Sequence, residues 1–252
     1  MNAPKPAIAP EPAVAHASAI AFAPSPCGAL WVRIDGTPCA LRPSGALWLE
    51  GASMLVAADL HLEKGSAYAS RGQLLPPYDT SATLGRLERE VAALAPRRLV
   101  LLGDSFHDAR WATRMSEPDR ARIDALAAAT DLIWITGNHD EEGLDGLPGQ
   151  QSDVLEVETL TLRHEPTPGL ASGEVAGHLH PCAKVSASGR AVRRRCFATD
   201  GRRLILPAFG AYAGGLNLKS AAYADLFTGP PLACALGADK VHPLVFASLK
   251  GD

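Results

Sequence analysis

Charge of one sign, aromatic rings, paired cysteines and long apolar runs are all scarce in this 252-residue sequence. Lys and Arg number 24 against 27 Asp and Glu, a formal net charge of −3, so bulk charge does not draw the chain to polyanions, and only a local basic patch can. Aromatic residues make up 6%, too few for an evident platform on which single-stranded bases stack. Five cysteines (Cys27, Cys39, Cys182, Cys196 and Cys234) form no CxxC pair, and an odd number leaves a disulfide framework incomplete; a reduced, cytoplasmic protein is expected. No run of about 18 apolar residues occurs, which excludes a helical membrane span. Residues 1–26 are rich in Ala and Pro, and Pro4, Pro6, Pro10 and Pro12 interrupt what a secretory signal needs, an apolar run of roughly 7–15 residues. They read as a mobile tail, and 27–252 as one domain without internal repeat or linker.

Hydrophobic residues are 47% of the chain, enough for a sizeable core. Runs over 29–34 and 46–49, separated by Gly and Pro turn signals, read as opening strands. Residues 54–58 form a short apolar strand, and 65–77 read as a loop. Leu84, Leu87, Val91 and Leu94 recur at helical spacing over 80–95, where Pro96 stops the helix. A strand over 98–102, a helix capped by Ser116 and running to 129, and a strand over 132–135 complete a β-α-β-α-β alternation, the pattern of a parallel sheet with covering helices. Beyond residue 150 the runs at 154–162, 175–176, 192–197 and 204–206 are strand-like with little helix between them. They predict a second, more antiparallel sheet facing the first, with helices outside.

Chemistry-bearing residues cluster at the ends of these strands. Asp59 and His61 are two apart, so on an extended strand both point the same way and can bind one ion. Asp104 closes the strand over 98–102, at the carboxyl end where open α/β sheets take ligands. Its two oxygens can bridge two ions, and Gly103 lets the backbone approach closely. In Gly137-Asn138-His139-Asp140, Asn138 offers a neutral carbonyl oxygen to a metal. The adjacent His139 projects differently and can donate a proton, oriented by Asp140. His164 ends a β-rich run. His178 and His180 sit two apart in Gly-His-Leu-His-Pro, a pair that can chelate one ion or reach two neighbouring ones.

The ordered set D-x-H, GD, GNHD, H and GHxH, spanning residues 59–180, resembles the calcineurin-like metallophosphoesterase superfamily block by block. The resemblance implies an α/β fold, a four-layer α/β/β/α sandwich of two mixed sheets. It implies Asp59, His61, Asp104 and His180 as ligands of one metal and Asp104, Asn138, His164 and His178 as ligands of a second, with Asp104 bridging. It also implies that His139 contacts the scissile phosphate and assists the leaving group. Asp59-Leu60-His61-Leu62-Glu63-Lys64-Gly65, Leu75-Pro76-Pro77-Tyr78-Asp79-Thr80, His164-Glu165-Pro166, Leu206-Pro207-Ala208-Phe209-Gly210 and Gly214-Gly215-Leu216-Asn217 resemble a narrower group, the bacterial ligase-associated DNA-damage-response endonucleases. That resemblance implies a DNA phosphodiesterase in repair, in functional association with an ATP-dependent DNA ligase and a helicase.

Only two carboxylates belong to this ligand set, so a pair of divalent ions leaves the centre net positive, suited to a phosphate anion. Mixed nitrogen and oxygen ligation suits Mn, Fe, Zn or Ni over Ca or Mg, and the family implies Mn. Lys64 follows the first motif closely and either offers a cation to phosphate or is an exposed loop lysine. Arg190, Arg193, Arg194, Arg195, Arg202 and Arg203, with Asp200 the only acid among them, form either a nucleic-acid patch or a solvated hairpin; Arg193, Arg194 and Arg195 are the phosphate-contact candidates. The alternative to a DNA endonuclease is a phosphatase or phosphodiesterase for small phosphate esters or cyclic nucleotides. A scaffold without chemistry would show broken ligand blocks, and none is broken.

Overall fold

Alternation of apolar side chains along three central strands builds two cores at once. A computed structural model of the chain describes residues 20–73, 75–138, 144–187 and 190–252. The first sheet runs, in spatial as in chain order, β1 (Phe22–Pro24), β2 (Leu30–Ile34), β3 (Thr37–Leu41), β4 (Leu47–Leu49), β5 (Met54–Ala58), β6 (Arg98–Leu102), β7 (Asp131–Ile135) and β8 (Gln150–Ser152). Pairs from β1 to β5 are antiparallel. Pairs from β5 to β8 are parallel. Met54, Val56, Val100, Leu102, Ile133 and Ile135 point to one face and join the core between the sheets. Their neighbours Leu55, Ala57, Leu99, Leu101, Leu132 and Trp134 point to the other face. That is the period-2 geometry of a strand buried on both sides.

Among the described residues three helices accompany this sheet: α1 (Lys64–Ala69), α2 (Asp79–Leu94) and α3 (Glu117–Ala129). Leu84 and Leu87 of α2 and Ile123 and Leu126 of α3 pack into the outer core with Trp134. α3 begins as its sequence dictates: the Ser116 hydroxyl accepts from the Asp119 amide, Pro118 occupies the first turn, and Glu117 and Asp119 face the positive helix end. α2 ends at Ala95, in the left-handed region just before Pro96.

The second sheet contains β9 (Val154–Val157), β10 (Leu160–Arg163), β11 (Glu174–Ala176), β12 (Pro181–Ala187), β13 (Arg190–Thr199), β14 (Arg203–Ile205), β15 (Leu216–Asn217), β16 (Leu232–Leu236) and β17 (Val241–Leu244). The path is β15-β12-β13-β14-β11-β10-β9, with β16 joining β13 and β17 joining β16. The pairs β10–β11, β11–β14 and β12–β15 are parallel. The remaining pairs are antiparallel. Leu162, Val175, Phe197 and Leu204 meet the first sheet across the central core. The two sheets thus face each other as expected. The outer face of the second is covered by irregular chain with 3₁₀ turns at Ala221–Tyr223 and Phe246–Ser248, through Leu218, Tyr223, Leu226 and Leu249.

Several expectations need correction. The expected tail over 1–26 contains β1, paired antiparallel with β2; residues 1–19 lie outside the described residues. The expected loop over 65–77 contains α1, too short to show a period and set up by Glu63 in the left-handed region rather than by a helix-capping side chain. β3, β12, β16 and β17 were not read from sequence; β3 and β17 contain Pro and β12 opens on one, which weakens a strand signal. Arg203, expected on either a nucleic-acid patch or a solvated hairpin, is fully buried: it pairs with Glu174 at 2.7 Å and donates to the carbonyls of Gly169, Leu226 and Thr167. All five cysteines are free thiols. No helix among the described residues is long and apolar enough to cross a membrane.

Candidate metal centre

β5, β6 and β7 end side by side at Ala58, Leu102 and Ile135. The chain leaving each of them turns sharply and presents Asp59, Asp104 and Asn138. From the second sheet, the segment after β10 brings His164, and the segment between β11 and β12 brings His178 and His180. Two groups result: Asp59 with His61 and His180, and Asp104 with His164 and His178, the ligand atoms in each lying within 4.8 Å of one another. His180 Nε2 stands 3.2 Å from Asp59 Oδ1 and 3.3 Å from His61 Nε2. In the second group His164 Nε2 stands 3.4 Å from Asp104 Oδ1, 3.2 Å from His178 Nδ1 and 2.9 Å from Asn138 Oδ1. Asp104 turns its other oxygen to the first group, 4.0 Å from His61 Nε2. The His-x-His pair is therefore divided between the groups, and Asp104 turns one oxygen to each, while Asp59 Oδ1 also lies 3.7 Å from His164 Nδ1.

The convergence of Asp59 and His61 does not come from an extended strand. Asp59, His61, Asp104, His178 and His180 all adopt positive φ, between 44° and 64°. Non-glycine residues are uncommon there, and such strain concentrates where side chains must be aimed. Leu60 and Leu62, between the polar residues, fill the core under the first sheet's helices and anchor the turn. Close approach finishes the arrangement. Gly103, itself at φ 72°, lies so near His164 that a Cβ would meet Nδ1 at 2.1 Å. At Gly177 a Cβ would meet Asp59 Oδ2 at 2.6 Å, and the next amide, of His178, donates to both Asp59 oxygens at 3.1 Å.

Three distant motifs hold these turns from behind. The Thr80 hydroxyl donates to Glu63 Oε1 at 2.9 Å and accepts from the Glu63 amide at 2.8 Å, while Asp79 accepts from the Gly65 amide at 3.0 Å. Phe209 and Gly210 donate their amides to the carbonyls of Ala58 and Asp59. Leu216 donates to the His180 carbonyl at 3.0 Å. The motifs 59–65, 75–80, 206–210 and 214–217, far apart in the chain, are thus one packed unit. Sequence reasoning missed His107, whose ring centroid lies 6.3 Å from that of His61 and 5.6 Å from that of Tyr68. Its only sequence signal is its place three residues after Asp104.

The donor chemistry fits a pair of divalent cations. Imidazole nitrogens face each other at hydrogen-bond distance beside buried carboxylates, the donor types that divalent cations take. A cleft of about 570 Å³, lined by Thr136, Gly137, Asn138, Asp153, Arg163 and His164, opens beside the second group. His139 and Asp140 lie outside the described residues. Lys64 opens α1 and is partly exposed. The arginines expected to act together on phosphate separate. Arg193 turns to Asp252 at 3.4 Å and to the Gly215 carbonyl at 2.5 Å. Arg195 donates to the Ala208 carbonyl at 2.8 Å and the Gly210 carbonyl at 3.1 Å. Arg194 is exposed.

The chain is similar to the crystal structure of nuclease MPE from Pseudomonas putida, 28% identical over 86% of this chain and 100% of that one, with a TM-score of 0.66. YfcE, a phosphoesterase from E. coli, aligns over 77% of this chain and 98% of its own at 17% identity and a TM-score of 0.39. A predicted phosphoesterase from Streptococcus pneumoniae aligns over 78% and 90% at 13% identity and a TM-score of 0.26. These last two superpose too little of the fold to add to the argument. No protein-family model and no curated protein sequence matches the chain. Its fold is metallophosphoesterase-like and shared with that nuclease, and two candidate metal-binding groups lie at the strand ends.

Proposed function

We propose that this protein is a dinuclear-metal-dependent phosphodiesterase that cuts DNA. The observation that carries the reading is the placing of Asp104 between two donor groups, within a fold shared with a nuclease. Asp59, His61, Asp104 and His180 would hold one cation, and Asp104, Asn138, His164 and His178 the other, with Mn the metal that the sequence resemblance favours. Once bound, the pair supplies Lewis acidity toward the phosphoryl oxygens and makes water nucleophilic near neutral pH. The chain's own part is orientation. The His178 amide holds both Asp59 oxygens, so this carboxylate is already aimed when a cation arrives. His139, steadied by Asp140, delivers a proton to the departing oxygen. The resemblance of motifs 59–65, 75–80 and 206–217 extends the reading to bacterial DNA repair alongside an ATP-dependent DNA ligase and a helicase, in the cytoplasm.

A substrate panel with added Mn tests this. Plasmid DNA should be nicked, and bis-p-nitrophenyl phosphate hydrolysed. Turnover confined to small monoesters or 2′,3′-cyclic nucleotides would overturn the DNA assignment. His139→Ala should keep both metals and lose about 10²–10⁴-fold in rate on DNA, the scale of general acid–base help. The loss should shrink on p-nitrophenyl esters, whose leaving group needs no proton.

A further inference from the structure

The loop over 207–210 has two sides. Its amides bind the Asp59 turn, while its carbonyls receive arginines: Arg86 donates to Phe209, and Arg195 to Ala208 and Gly210. On that second side lies a cleft of about 610 Å³, whose lining includes Arg86 and Arg89 from α2, Arg194 and Arg195 from β13, Ser44 and Glu90. Glu90, the only carboxylate of the lining, is already paired with Arg42 at 2.8 Å. None of the four lining arginines forms an ion pair among the described residues. The Arg86 Nε is buried without a hydrogen-bond partner, and the Arg86 guanidinium stacks on the Phe209 ring at 4.5 Å.

A structural clamp on the loop accounts for Arg86 and Arg195 but not for the other two. Arg89 is exposed, and Arg194 reaches only the Arg193 carbonyl, at 3.4 Å. Gathering four cations around one cleft with no free carboxylate is costly without an anion. The cost is visible at Arg86, whose guanidinium is pushed down to about 10 by burial and then by Arg195 and Arg89. Planar guanidinium forks match phosphate oxygens, and the lining contains no aromatic ring on which a base could stack.

We propose that this arginine-lined cleft is a second anion site that grips the phosphate backbone of a nucleic acid strand away from the scissile bond. The inference rests on the phosphodiesterase reading above. It adds that substrate is a strand long enough to engage both sides of the 207–210 loop, a contact that a small phosphate ester cannot make.

The test uses the full chain with Arg89→Gln and Arg194→Gln together, exposed positions that leave the loop clamp intact. Binding of a fluorescent DNA duplex is followed by anisotropy in EDTA across a salt series, so that the cleft is read without the metal centre. The double variant should bind at least tenfold more weakly, and its salt slope should flatten by about 1.8, the value for two lost phosphate contacts at 0.9 each. Mn-supported hydrolysis of bis-p-nitrophenyl phosphate should stay within twofold of wild type. Unchanged affinity and slope would overturn the cleft, as would an equal loss from Arg33→Gln with Arg97→Gln, which changes net charge elsewhere. Inorganic pyrophosphate binding lost in the variant while DNA affinity holds would make it a small-anion pocket and also overturn the proposal. Failure of the wild type on both bis-p-nitrophenyl phosphate and DNA would sink the phosphodiesterase reading separately.

Discussion

The two sheets supply unlike donors to the same centre. From the first come all the oxygens, Asp59 and Asp104, at most 3% exposed, and Asn138 beside them, with one imidazole, His61. From the second come only imidazoles, and His178 and His180 sit toward the rim, with side chains 28% and 20% exposed. The parallel strands end in register, so their last residues form a floor where a carboxylate can be buried against backbone amides. The second sheet reaches over that floor through turns, which leave His178 and His180 nearer to solvent. Buried charge in the second sheet has another task. Arg203 and Glu174 tie β14 to β11 and to the carbonyls of Thr167, Gly169 and Leu226. One sheet buries charge for chemistry and the other buries it for architecture.

The contrast can be broken most directly at Asp104. Asp104→Ala should lower Mn-supported hydrolysis of bis-p-nitrophenyl phosphate by about 10³-fold or more, the scale on which an essential group is felt, and should deplete both metals by elemental analysis. His180→Ala should deplete one. Equal depletion by the two variants would mean that Asp104 does not serve both groups.

Arg203→Met should act on the fold instead, leaving the buried Glu174 with only the Thr167 donors and the Arg163 Nε at 3.9 Å, at a cost of about 3–5 kcal/mol in chemical denaturation. Adding Glu174→Gln, which keeps an acceptor for Thr167, should recover more than half of that loss. No recovery would show that the arginine matters for packing rather than charge.

Gly177→Ala sharpens the comparison at the seam of the two sheets. Its Cβ would press on Asp59 Oδ2, so stability should fall by about 1–3 kcal/mol, the range for strain at a tight site, with metal loss larger in the Asp59 group than in the Asp104 group. Uniform loss from both would locate the strain elsewhere.

The smallest effect is expected at Asp200, in the turn from β13 to β14. Burial raises its carboxyl pKa, but donors from Thr228, Arg203 and Arg202 more than offset this and hold it below the ordinary carboxylate value. A depressed carboxyl contributes stability that is present above its unfolded pKa of about 3.9 and is lost as pH falls through the folded value. The melting-temperature difference between wild type and Asp200→Ala should therefore be present at pH 7 and close in strong acid. A gap that persists at acid pH would show that the side chain acts through shape.

Much of the centre was legible because the parallel strands are apolar on both faces and each is followed within three residues by a candidate ligand. The runs before Asp59, Asp104 and Asn138 needed only local reading. His164 was legible only as one block in an ordered set, and its neighbour at Gly103 is a contact across 61 residues that no local pattern carries. The arginine cluster over 190–203 misled for a related reason: nearness in sequence says nothing about direction. Arg193 turns to Asp252, Arg195 to the 208–210 carbonyls and Arg203 inward to Glu174.

By itself the sequence determined the donor types, their order and the strand ends that carry them, because strand periodicity and the switch from apolar to polar are local properties. Spacing left open which histidine joins which aspartate; the division that the resemblance implied is made by the packed chain, where His178 and His180 part company through left-handed backbone held by Leu216 and the Asp59 carboxylate. Tertiary structure alone decided that the outer motifs brace the metal turns, and that Arg86 and Arg89, unremarkable on a helix, share a cleft with Arg194 and Arg195. Those outcomes depend on which amides and carbonyls remain unpaired once both sheets are stacked, and that is a property of the packed chain.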